Sequence, residues 1–405
     1  MKPILRAERM KPVHSDIRGP LFVEAMKRQK QGIDILKLNT GNPATFGFGL
    51  PDSIKNALME HIQDGVGYCD FKGMPQARQA ICDYETSKGI KGITPDDVFI
   101  GNGVSEVVSF ALTPLLNDGD EVLVPSPSYS LWGNSVYLED GKPVFYTCDE
   151  QANWYPDIQD IRSKITDKTK AIVIINPNNP TGVLYPKELL LEIIQIAREF
   201  GLLIFADEIY DRLVMDGKQH ISLASLTEDV PVITLNGLSK SHCLCGYRCG
   251  WMVISGPREL TEDYRQGIIQ LTSLRLCANT MAQIVIPAAL DDMETPASMV
   301  RPGGRIYEQR EATVRELEKI DGLSFVKNDA AFYVFPKLDV KKFNITNDKQ
   351  FAHDLLDVTN ILLVPGSGFD WKDPDHFRIV MLPQADVLSD AIRRMGTFLD
   401  GYKQK

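Results

Sequence analysis

The sequence predicts an α/β fold in which a large domain holds a mostly parallel sheet of the seven-stranded type and a smaller domain is α+β. The first observation is an alternation in mid-chain, where the apolar run KAIVIIN (170–176) precedes an amphipathic stretch (186–201) and a second apolar run, LLIFADEIY (202–210). Strands that are apolar throughout need cover on both faces, and helical connections between them favour parallel pairing. The second observation is a length of 405 residues with 43% hydrophobic residues, enough for two packed domains.

The third observation is a change of pattern near residue 297. Strand and helix patterns alternate before it, which predicts a large domain at 46–296. After it come a long polar helix, four short apolar runs and a terminal helix starting near Asp386, which predict the small domain. The N-terminal segment cannot form a core alone, so we expect it to pack on that domain, which then comprises 1–45 with 297–405.

Composition excludes several classes of partner. The formal net charge is −10 and no basic stripe is present, which argues against nucleic acid. The seven cysteines are odd in number and mostly scattered, unlike a secreted disulfide framework. No apolar stretch reaches the roughly 18 residues of a membrane span, and the N-terminus lacks the apolar core of a signal peptide. We expect a cytoplasmic protein with no membrane partner.

Polar residues follow several of the predicted strands, where open α/β sheets bind their ligands. After DVFI comes GNGVSE, in which Gly103 allows a tight turn while Val104 and Ser105 begin a helix. The unpaired N–H groups and dipole of a helix N-terminus favour a phosphate. Next along the chain, the rigid stretch NPNNPTG fixes the amide of Asn179 and is expected to contain a cis X-Pro bond.

Two further strand ends place a carboxylate and an amine at the same edge. Asp207 follows LLIFA, and Lys240 follows VITLNGLS. A carboxylate at a strand end suits a cationic partner, and a lysine can hold an aldehyde as a Schiff base. Together with the phosphate turn and the rigid asparagine, these residues predict pyridoxal 5′-phosphate as the cofactor.

The ordered set of such stretches resembles the fold-type I, class I and II aminotransferases over nearly the whole chain. The resemblance implies the pyridoxal-phosphate-dependent transferase fold. Eight stretches carry it: NTGNP (39–43), GYCDFKG (67–73), GNGVSE (101–106), PSPSY (125–129), NPNNPTG (176–182), DEIY (207–210), SK with GYRCGW (239–251) and HFRIVMLP (376–383).

The resemblance implies roles for the residues around the cofactor ring. Lys240 holds the cofactor and moves the proton between the substrate Cα and the cofactor C4′. Asp207 pairs with the pyridinium nitrogen and keeps it protonated. Asn179 and Tyr210 hydrogen-bond the ring's 3′-oxygen, and Tyr129 stacks on the ring face.

The resemblance also implies a phosphate site shared between subunits. Phosphate sits by Gly103, Val104 and Ser105, and Arg248 supplies a permanent positive charge. Tyr68 reaches the phosphate from a neighbouring subunit, which makes a homodimer with shared active sites the expected assembly.

Substrates implied by the resemblance are amino acids and 2-oxo acids. Arg378 clamps the α-carboxylate through its planar fork, and Gly41 lies beside it. SDIRGP, GYCDFKG and GNGVSE look most like the bacterial glutamate–pyruvate (alanine) aminotransferases, with L-alanine and 2-oxoglutarate as substrates. Arg18 is our hypothesis for part of the switch that admits glutamate. The alternatives are aspartate, aromatic or branched-chain aminotransferases, a C–S lyase of the same fold, and a non-catalytic cofactor-binding regulator.

The chain departs from the family pattern in three places. Gly237 stands where many relatives have a phosphate-binding serine, so either one contact is missing or Ser239 or Ser241 supplies it. Ser15 replaces the tyrosine expected in the alanine-specific subgroup, which bears on the substrate more than on the fold. Ala330 stands where the family often has glycine.

Two rival interpretations concern the same stretches. A metal cluster of His242, Cys243, Cys245 and Cys249 lacks paired C-x₂-C spacing. A dinucleotide turn at GNGVSE lacks the third glycine, because Glu106 stands there. Both are therefore weaker than the pyridoxal phosphate interpretation.

Overall fold

The computed structural model describes residues 2–405. The α-helices, numbered in chain order, are α1 Pro20–Lys30, α2 Asp52–His61, α3 Pro75–Ser87, α4 Val104–Leu112, α5 Leu131–Leu138, α6 Ile158–Lys164, α7 Lys187–Phe200, α8 Leu238–Ser241, α9 Arg258–Arg275, α10 Thr280–Ile284, α11 Ile286–Asp291, α12 Glu294–Val300, α13 Arg305–Leu317, α14 Val340–Phe343, α15 Asp348–Thr359 and α16 Ala385–Asp400.

The strands, also in chain order, are β1 Leu36–Lys37, β2 Val98–Asn102, β3 Glu121–Ser126, β4 Lys142–Asp149, β5 Tyr155–Pro156, β6 Thr169–Ile175, β7 Leu203–Asp207, β8 Val232–Gly237, β9 Cys249–Ser255, β10 Leu323–Ser324, β11 Tyr333–Val334, β12 Lys337–Leu338, β13 Ile361–Leu362, β14 Val364–Pro365 and β15 Phe377–Val380.

The central sheet has the strand order β2-β9-β8-β7-β6-β3-β4-β5. Strand β9 runs antiparallel to both of its neighbours, and the two-residue strand β5 runs antiparallel to β4. The remaining neighbours pair in parallel. The predicted mostly parallel sheet of the seven-stranded type is confirmed, with β5 as a short addition at one edge.

The apolar composition of strand β6 follows from its burial on both faces. Ile172 and Ile174 belong to one hydrophobic cluster, whereas Val173 and Ile175 belong to another on the opposite face. Because side chains alternate along a strand, a fully apolar run serves both cores at once. Helix α7 covers the first of these faces with a stripe of six buried apolar side chains, and it ends at Gly201, which takes a left-handed conformation with φ +67°.

The C-terminal part of the chain forms a separate core with smaller sheets. Strands β11, β15 and β14 form an antiparallel sheet, which agrees with the predicted α+β unit. The N-terminal segment joins this part, because β1 pairs in parallel with β13 and because Ala25 and Ile35 pack with Leu356 and Leu362. The boundaries at residues 45/46 and 296/297 stay a prediction.

The helices give a limited result on membrane spanning. Within residues 2–405, no single helix is both long and apolar enough to cross a bilayer. One helix pair, Arg258–Arg275 with Thr280–Asp291, reaches that length and composition only jointly, across a bend of 118°.

Candidate active site

One cavity of about 870 Å³ opens at the carboxyl edge of the central sheet. The register explains why, since Asp207 at the end of β7 is level with Ile175 on β6 and Leu235 on β8. Residues that follow these strands therefore meet above the same edge. The predicted site residues that line the cavity are Arg18, Gly41, Val104, Ser105, Tyr129, Asn179, Asp207, Tyr210, Ser239, Lys240, Arg248 and Arg378.

Lys240 lies on the short helix α8, directly after β8. Its Nζ donates a hydrogen bond to the carbonyl oxygen of Gly41 at 2.9 Å and lies 4.0 Å from the Sγ of Cys245. Burial alone would lower the pKa of Lys240, but the acidic groups of Tyr333, Cys245 and Tyr129 outweigh it and raise the pKa above its usual value. The amine is thus a cation held in place at the cavity wall.

Asp207 is a buried carboxyl group with few polar contacts. The indole N–H of Trp132 donates to its Oδ2 at 3.0 Å, and the backbone N–H of Ile209 approaches Oδ1 at 3.4 Å. Among residues 2–405, no lysine, arginine or histidine forms a salt bridge with it. Burial therefore raises the pKa of Asp207 to about 6, although the hydrogen bond from the indole acts to lower it. A cation entering the cavity would find an unneutralised carboxylate here.

Tyr210 is held by a partner that the sequence analysis missed. The hydroxyl groups of Tyr210 and Tyr333 lie 2.8 Å apart, and both side chains are buried. Burial raises the pKa of Tyr210 well above its usual value, so the hydroxyl keeps its proton. Tyr333 also lines the cavity. The run AAFYVFP contained it, but that run predicted only a strand of the small domain.

Arg378 presents a buried guanidinium group to the cavity. Its Nη1 donates to Asn179 Oδ1 at 2.9 Å and its Nη2 donates to the carbonyl oxygen of Asn39 at 2.5 Å. The guanidinium lies 4.6 Å from the ring centres of both Tyr333 and Phe369. Its buried Nε has no hydrogen-bond partner within residues 2–405. A buried cation with an unused donor favours a small anion as its ligand.

Another part of the cavity lining has the features of a phosphate site. Helix α4 begins at Val104 without a side-chain cap, after Gly103 in a left-handed conformation with φ +85°. A Cβ atom on Gly103 would overlap the guanidinium of Arg248, so glycine is required for this close approach. Arg248 is exposed and itself has φ +56°. Helix N–H groups and a guanidinium thus face the same space.

Comparison with known proteins agrees with this arrangement. Residues 33–394 match the family described as aminotransferase class I and II. The chain belongs to this family. It is 50% identical over 404 residues to the glutamate–pyruvate aminotransferase AlaA of Haemophilus influenzae, with 100% of each chain covered.

The fold of this aminotransferase is also similar to the folds of solved structures. A crystal structure of an aminotransferase from Escherichia coli has a TM-score of 0.98 and 47% identity, with 100% of both chains covered. The alanine aminotransferase from Pyrococcus furiosus has a TM-score of 0.93 and 41% identity, covering 98% of this chain and 100% of that one. The predicted family resemblance is confirmed.

Gly237 in this aminotransferase has a packing reason. A Cβ atom at this position would lie 2.6 Å from the carbonyl oxygen of Cys249 and 3.0 Å from the Cα of Gly250. A serine would therefore displace strand β9. Of the two serines that we considered as substitutes, Ser239 lines the cavity, whereas Ser241 is buried with its hydroxyl 3.0 Å from the Nδ1 of His242.

The segment that carries Arg18 is tied to helix α5. Asn134 donates to the carbonyl oxygen of His14 at 2.6 Å and accepts the backbone N–H of the same residue at 3.1 Å. Hydrogen bonds to Asp16 and Asp370 raise the pKa of His14 to about 9, so it adds an ionic contact at neutral pH. Arg18 is exposed and makes no side-chain hydrogen bond or salt bridge within residues 2–405.

Two predicted cofactor residues lie outside the cavity lining. The guanidinium group of Arg248 lies against Gly103. Tyr68 is 83% exposed in this single chain. Its predicted role therefore depends on a second subunit and stays a prediction.

The structure gives physical reasons against the two rival interpretations. The carboxylate of Glu106 folds back on the turn, where it accepts the backbone N–H of Asn102 at 2.7 Å and pairs with Arg275 at 2.5 Å. The Glu106 side chain is therefore part of the turn itself, at the position where the dinucleotide motif has a glycine. The cysteines of the proposed metal cluster diverge: Cys243 and Cys249 enter different hydrophobic clusters and Cys245 faces the cavity.

A buried ionic network lies beside the cavity and was not predicted. The ammonium group of Lys88 lies 2.7 Å from Glu85, 2.8 Å from Glu208 and 3.2 Å from Asp211. Asp211 also accepts the amide of Asn236 at 2.7 Å. The network therefore joins the segment after β7 to the end of β8, which leads to Lys240.

Proposed function

We propose that this aminotransferase uses pyridoxal 5′-phosphate to transfer the amino group of L-alanine to 2-oxoglutarate, giving pyruvate and L-glutamate. The observation that carries the proposal is the meeting of Lys240, Asp207 and Arg378 in one cavity of about 870 Å³. The amine of Lys240 matches the cofactor aldehyde, and the carboxylate of Asp207 matches the pyridinium nitrogen. The guanidinium of Arg378 matches the substrate carboxylate. Relatives named as glutamate–pyruvate or alanine aminotransferases support the choice of substrates.

The residues present fit this cofactor. Asp207 lacks a cationic partner within residues 2–405, and the helix N-terminus at Val104 faces the exposed guanidinium of Arg248. The cofactor carries a cationic ring nitrogen, which matches Asp207. It also carries a dianionic phosphate, which matches the helix N-terminus and Arg248. Ser239 lines the cavity and is our candidate for the phosphate contact that Gly237 cannot make.

When bound, pyridoxal phosphate supplies an electron-withdrawing ring that stabilises negative charge at the substrate Cα. The protein's own task is then to place groups around it. Asp207 holds the ring nitrogen in its protonated form. Lys240, on helix α8 directly after β8, would move the proton between the substrate Cα and the cofactor once its amine is in the neutral form. Tyr210 and Asn179 would hold the ring's 3′-oxygen, and Tyr129 would hold the ring by its face.

Arg378 is the proposed clamp for the substrate α-carboxylate. Its Nε has no partner within residues 2–405, and Asn179 and Asn39 fix the other two nitrogens. Both neighbouring rings restrict the guanidinium further. Because the clamp is oriented before substrate arrives, little entropy is lost on binding. Gly41 lies close to Tyr333 at this part of the cavity wall, and a Cβ atom on it would overlap the Tyr333 hydroxyl.

Accepting both alanine and glutamate requires a group that the longer side chain alone uses. Arg18 lines the cavity and has no competing ionic partner within residues 2–405. Arg18→Ala should reduce kcat/KM for glutamate about 100-fold and for alanine less than about threefold, because only glutamate brings a second carboxylate. Equal losses for both substrates would remove Arg18 from this role.

A homodimer is part of the proposal, because Tyr68 is exposed in the single chain and can serve only a neighbouring site. The test is to mix Lys240→Ala with Tyr68→Phe subunits. If the sites are shared, mixed dimers contain one site with both defects and one intact site, so activity rises on mixing. Activity that stays at the level of the separate variants would contradict sharing.

The function is tested by the absorption spectrum of the protein with pyridoxal phosphate. L-alanine and L-glutamate should each convert the bound cofactor to its amino form, and pyruvate or 2-oxoglutarate should reverse the change. Conversion by L-aspartate or L-phenylalanine alone would retain the family and replace the substrates. Ammonia release would indicate a lyase. A spectrum that Lys240→Ala leaves unchanged would overturn the cofactor site.

A further inference from the structure

We propose that Trp132 is a positioning residue for Asp207, whose indole N–H fixes carboxylate Oδ2 so that Oδ1 is left for a cation in the cavity. This inference rests on the proposed cofactor site and names one residue of the chain that prepares it. Trp132 itself is fully buried and is absent from the cavity lining. It therefore acts on the ligand only through Asp207.

The Trp132 indole packs on the same strand that carries the Asp207 carboxylate. Trp132 lies near the start of α5, and its ring packs on Phe205 with ring centres 5.4 Å apart and planes tilted by 39°. Phe205 precedes Asp207 by two residues on β7. The hydrogen bond of 3.0 Å between Trp132 Nε1 and Asp207 Oδ2 is thus fixed relative to the strand end. The packing sets the rotation of the carboxylate plane.

The residue type matters because indole is a donor without charge. It can donate to a carboxylate but cannot neutralise it or accept a proton from it. Within residues 2–405, the only other hydrogen bond to the Asp207 carboxylate is the long one from the backbone N–H of Ile209 to Oδ1 at 3.4 Å. A lysine or arginine in place of Trp132 would satisfy the carboxylate inside the protein and remove its need for a cationic ligand. Trp132 orients the charge and leaves it available.

A second indole in the chain offers a matched control. Trp251 is also buried, and its Nε1 donates to the buried Glu85 Oε1 at 3.2 Å. Glu85, however, pairs with Lys88 and does not line the cavity. Trp251→Phe therefore removes the same kind of hydrogen bond without touching the proposed cofactor site.

The first experiment needs no cofactor and follows the indole N–H signals of the four tryptophans by ¹⁵N NMR from pH 5 to pH 8. The Trp132 signal should shift with a midpoint near pH 6, where Asp207 titrates, and should stop shifting in Asp207→Asn. The signal of Trp251 should respond to Glu85 instead and shift in both proteins. A Trp132 signal that does not move, or that moves equally in Asp207→Asn, overturns the proposal.

The second experiment measures pyridoxal phosphate affinity of the cofactor-free protein in a double-mutant cycle. Trp132→Phe should weaken binding about tenfold in the native background, which is the value of one hydrogen bond to a charged group, and less than about twofold in Asp207→Asn. Trp251→Phe should change neither. Equal losses from Trp132→Phe in both backgrounds overturn the proposal.

The two experiments separate this inference from the proposed function. If the NMR shift is found but no variant or native protein binds pyridoxal phosphate, the hydrogen bond stands and the cofactor assignment fails. If binding is found without the NMR shift, the cofactor stands and Trp132 loses its role. Should Trp132→Phe not fold, the NMR comparison of native protein with Asp207→Asn still decides.

Discussion

Asp207 and Asp211 are buried carboxyl groups four residues apart, yet they behave in opposite ways. Asp207 faces the cavity with only neutral donors, the Trp132 indole and the Ile209 backbone N–H, and burial raises its pKa to about 6. Asp211 faces the network of Lys88; burial pushes its pKa up, but the ammonium of Lys88 lowers it to below the usual value. The difference shows that burial does not decide the charge of a carboxyl group. A fixed cation makes Asp211 structural, and the lack of one leaves Asp207 for a ligand.

The largest expected effect comes from removing the fixed cation. Lys88→Met leaves Glu85, Glu208 and Asp211 buried without their ammonium group, which should lower the free energy of unfolding by about 3–5 kcal/mol. Urea denaturation of the cofactor-free protein measures this change. Lys91→Met is the control, because Lys91 pairs with Glu228 at the surface with both side chains about 70% exposed. If both variants unfold alike, the network is not structural.

Removing the unneutralised carboxylate should have the opposite sign. The raised pKa of Asp207 corresponds to a cost of up to about 3 kcal/mol at pH 7, from about two pKa units. Asp207→Asn should therefore stabilise the cofactor-free protein while reducing transamination about 100-fold or more, since a preorganised charge is lost. Denaturation and steady-state kinetics measure the two effects. A variant that loses both stability and activity would contradict the comparison.

The pH dependence of stability sharpens the same contrast. The folded-state pKa of Asp207 is raised, so the folded protein holds the proton more tightly and the group's contribution is lost as pH rises from about 4 to about 6. The folded-state pKa of Asp211 is lowered, so its contribution is lost as pH falls below its unfolded value near 3.8. The difference in unfolding free energy between native protein and Asp207→Asn should grow from pH 4 to pH 6 and then level off. A constant difference would refute the raised pKa.

The smallest expected effects come from a matched pair of tyrosines. Tyr84 donates to the Asp211 carboxylate at 2.6 Å, and Tyr333 shares a neutral hydrogen bond of 2.8 Å with Tyr210. Tyr84→Phe should lower the free energy of unfolding by about 1.5–3 kcal/mol and leave kcat unchanged. Tyr333→Phe should cost only about 1 kcal/mol in stability while lowering kcat/KM about fivefold. Thermal unfolding and kinetics of both variants test the pair, and interchanged outcomes would reverse the comparison.

Much of the fold could be read from local pattern. Residues 171–175 are all apolar because β6 is covered on both faces, and the structure places β6 at Thr169–Ile175. The amphipathic stretch at 186–201 became helix α7. The next strand, predicted to end with LLIFA just before Asp207, is β7, which ends at Asp207. The residues after Asp207 leave the strand, and they either line the cavity or join the ionic network of Lys88.

The cavity itself was largely predictable for one topological reason. Parallel strands bring their carboxyl ends to one edge, so Lys240, Asp207 and Asn179 had to converge once each was placed after a strand. The resemblance to the family added Arg378 and Arg18, which local pattern could not place. Their roles toward cofactor and substrate remain for the experiments above.

The sequence by itself therefore determined which residue type follows each apolar run, and so which chemical group stands at the end of each strand. What the tertiary structure alone decided is the partner of each group. Trp132 reaches Asp207 across 75 residues, Lys88 reaches Asp211 across 123, and Tyr333 reaches Tyr210 across 123. No periodicity encodes such contacts, because they arise from the packing of separate elements. They also set the pKa of a buried group, so the chemistry of this site is fixed only in the folded chain.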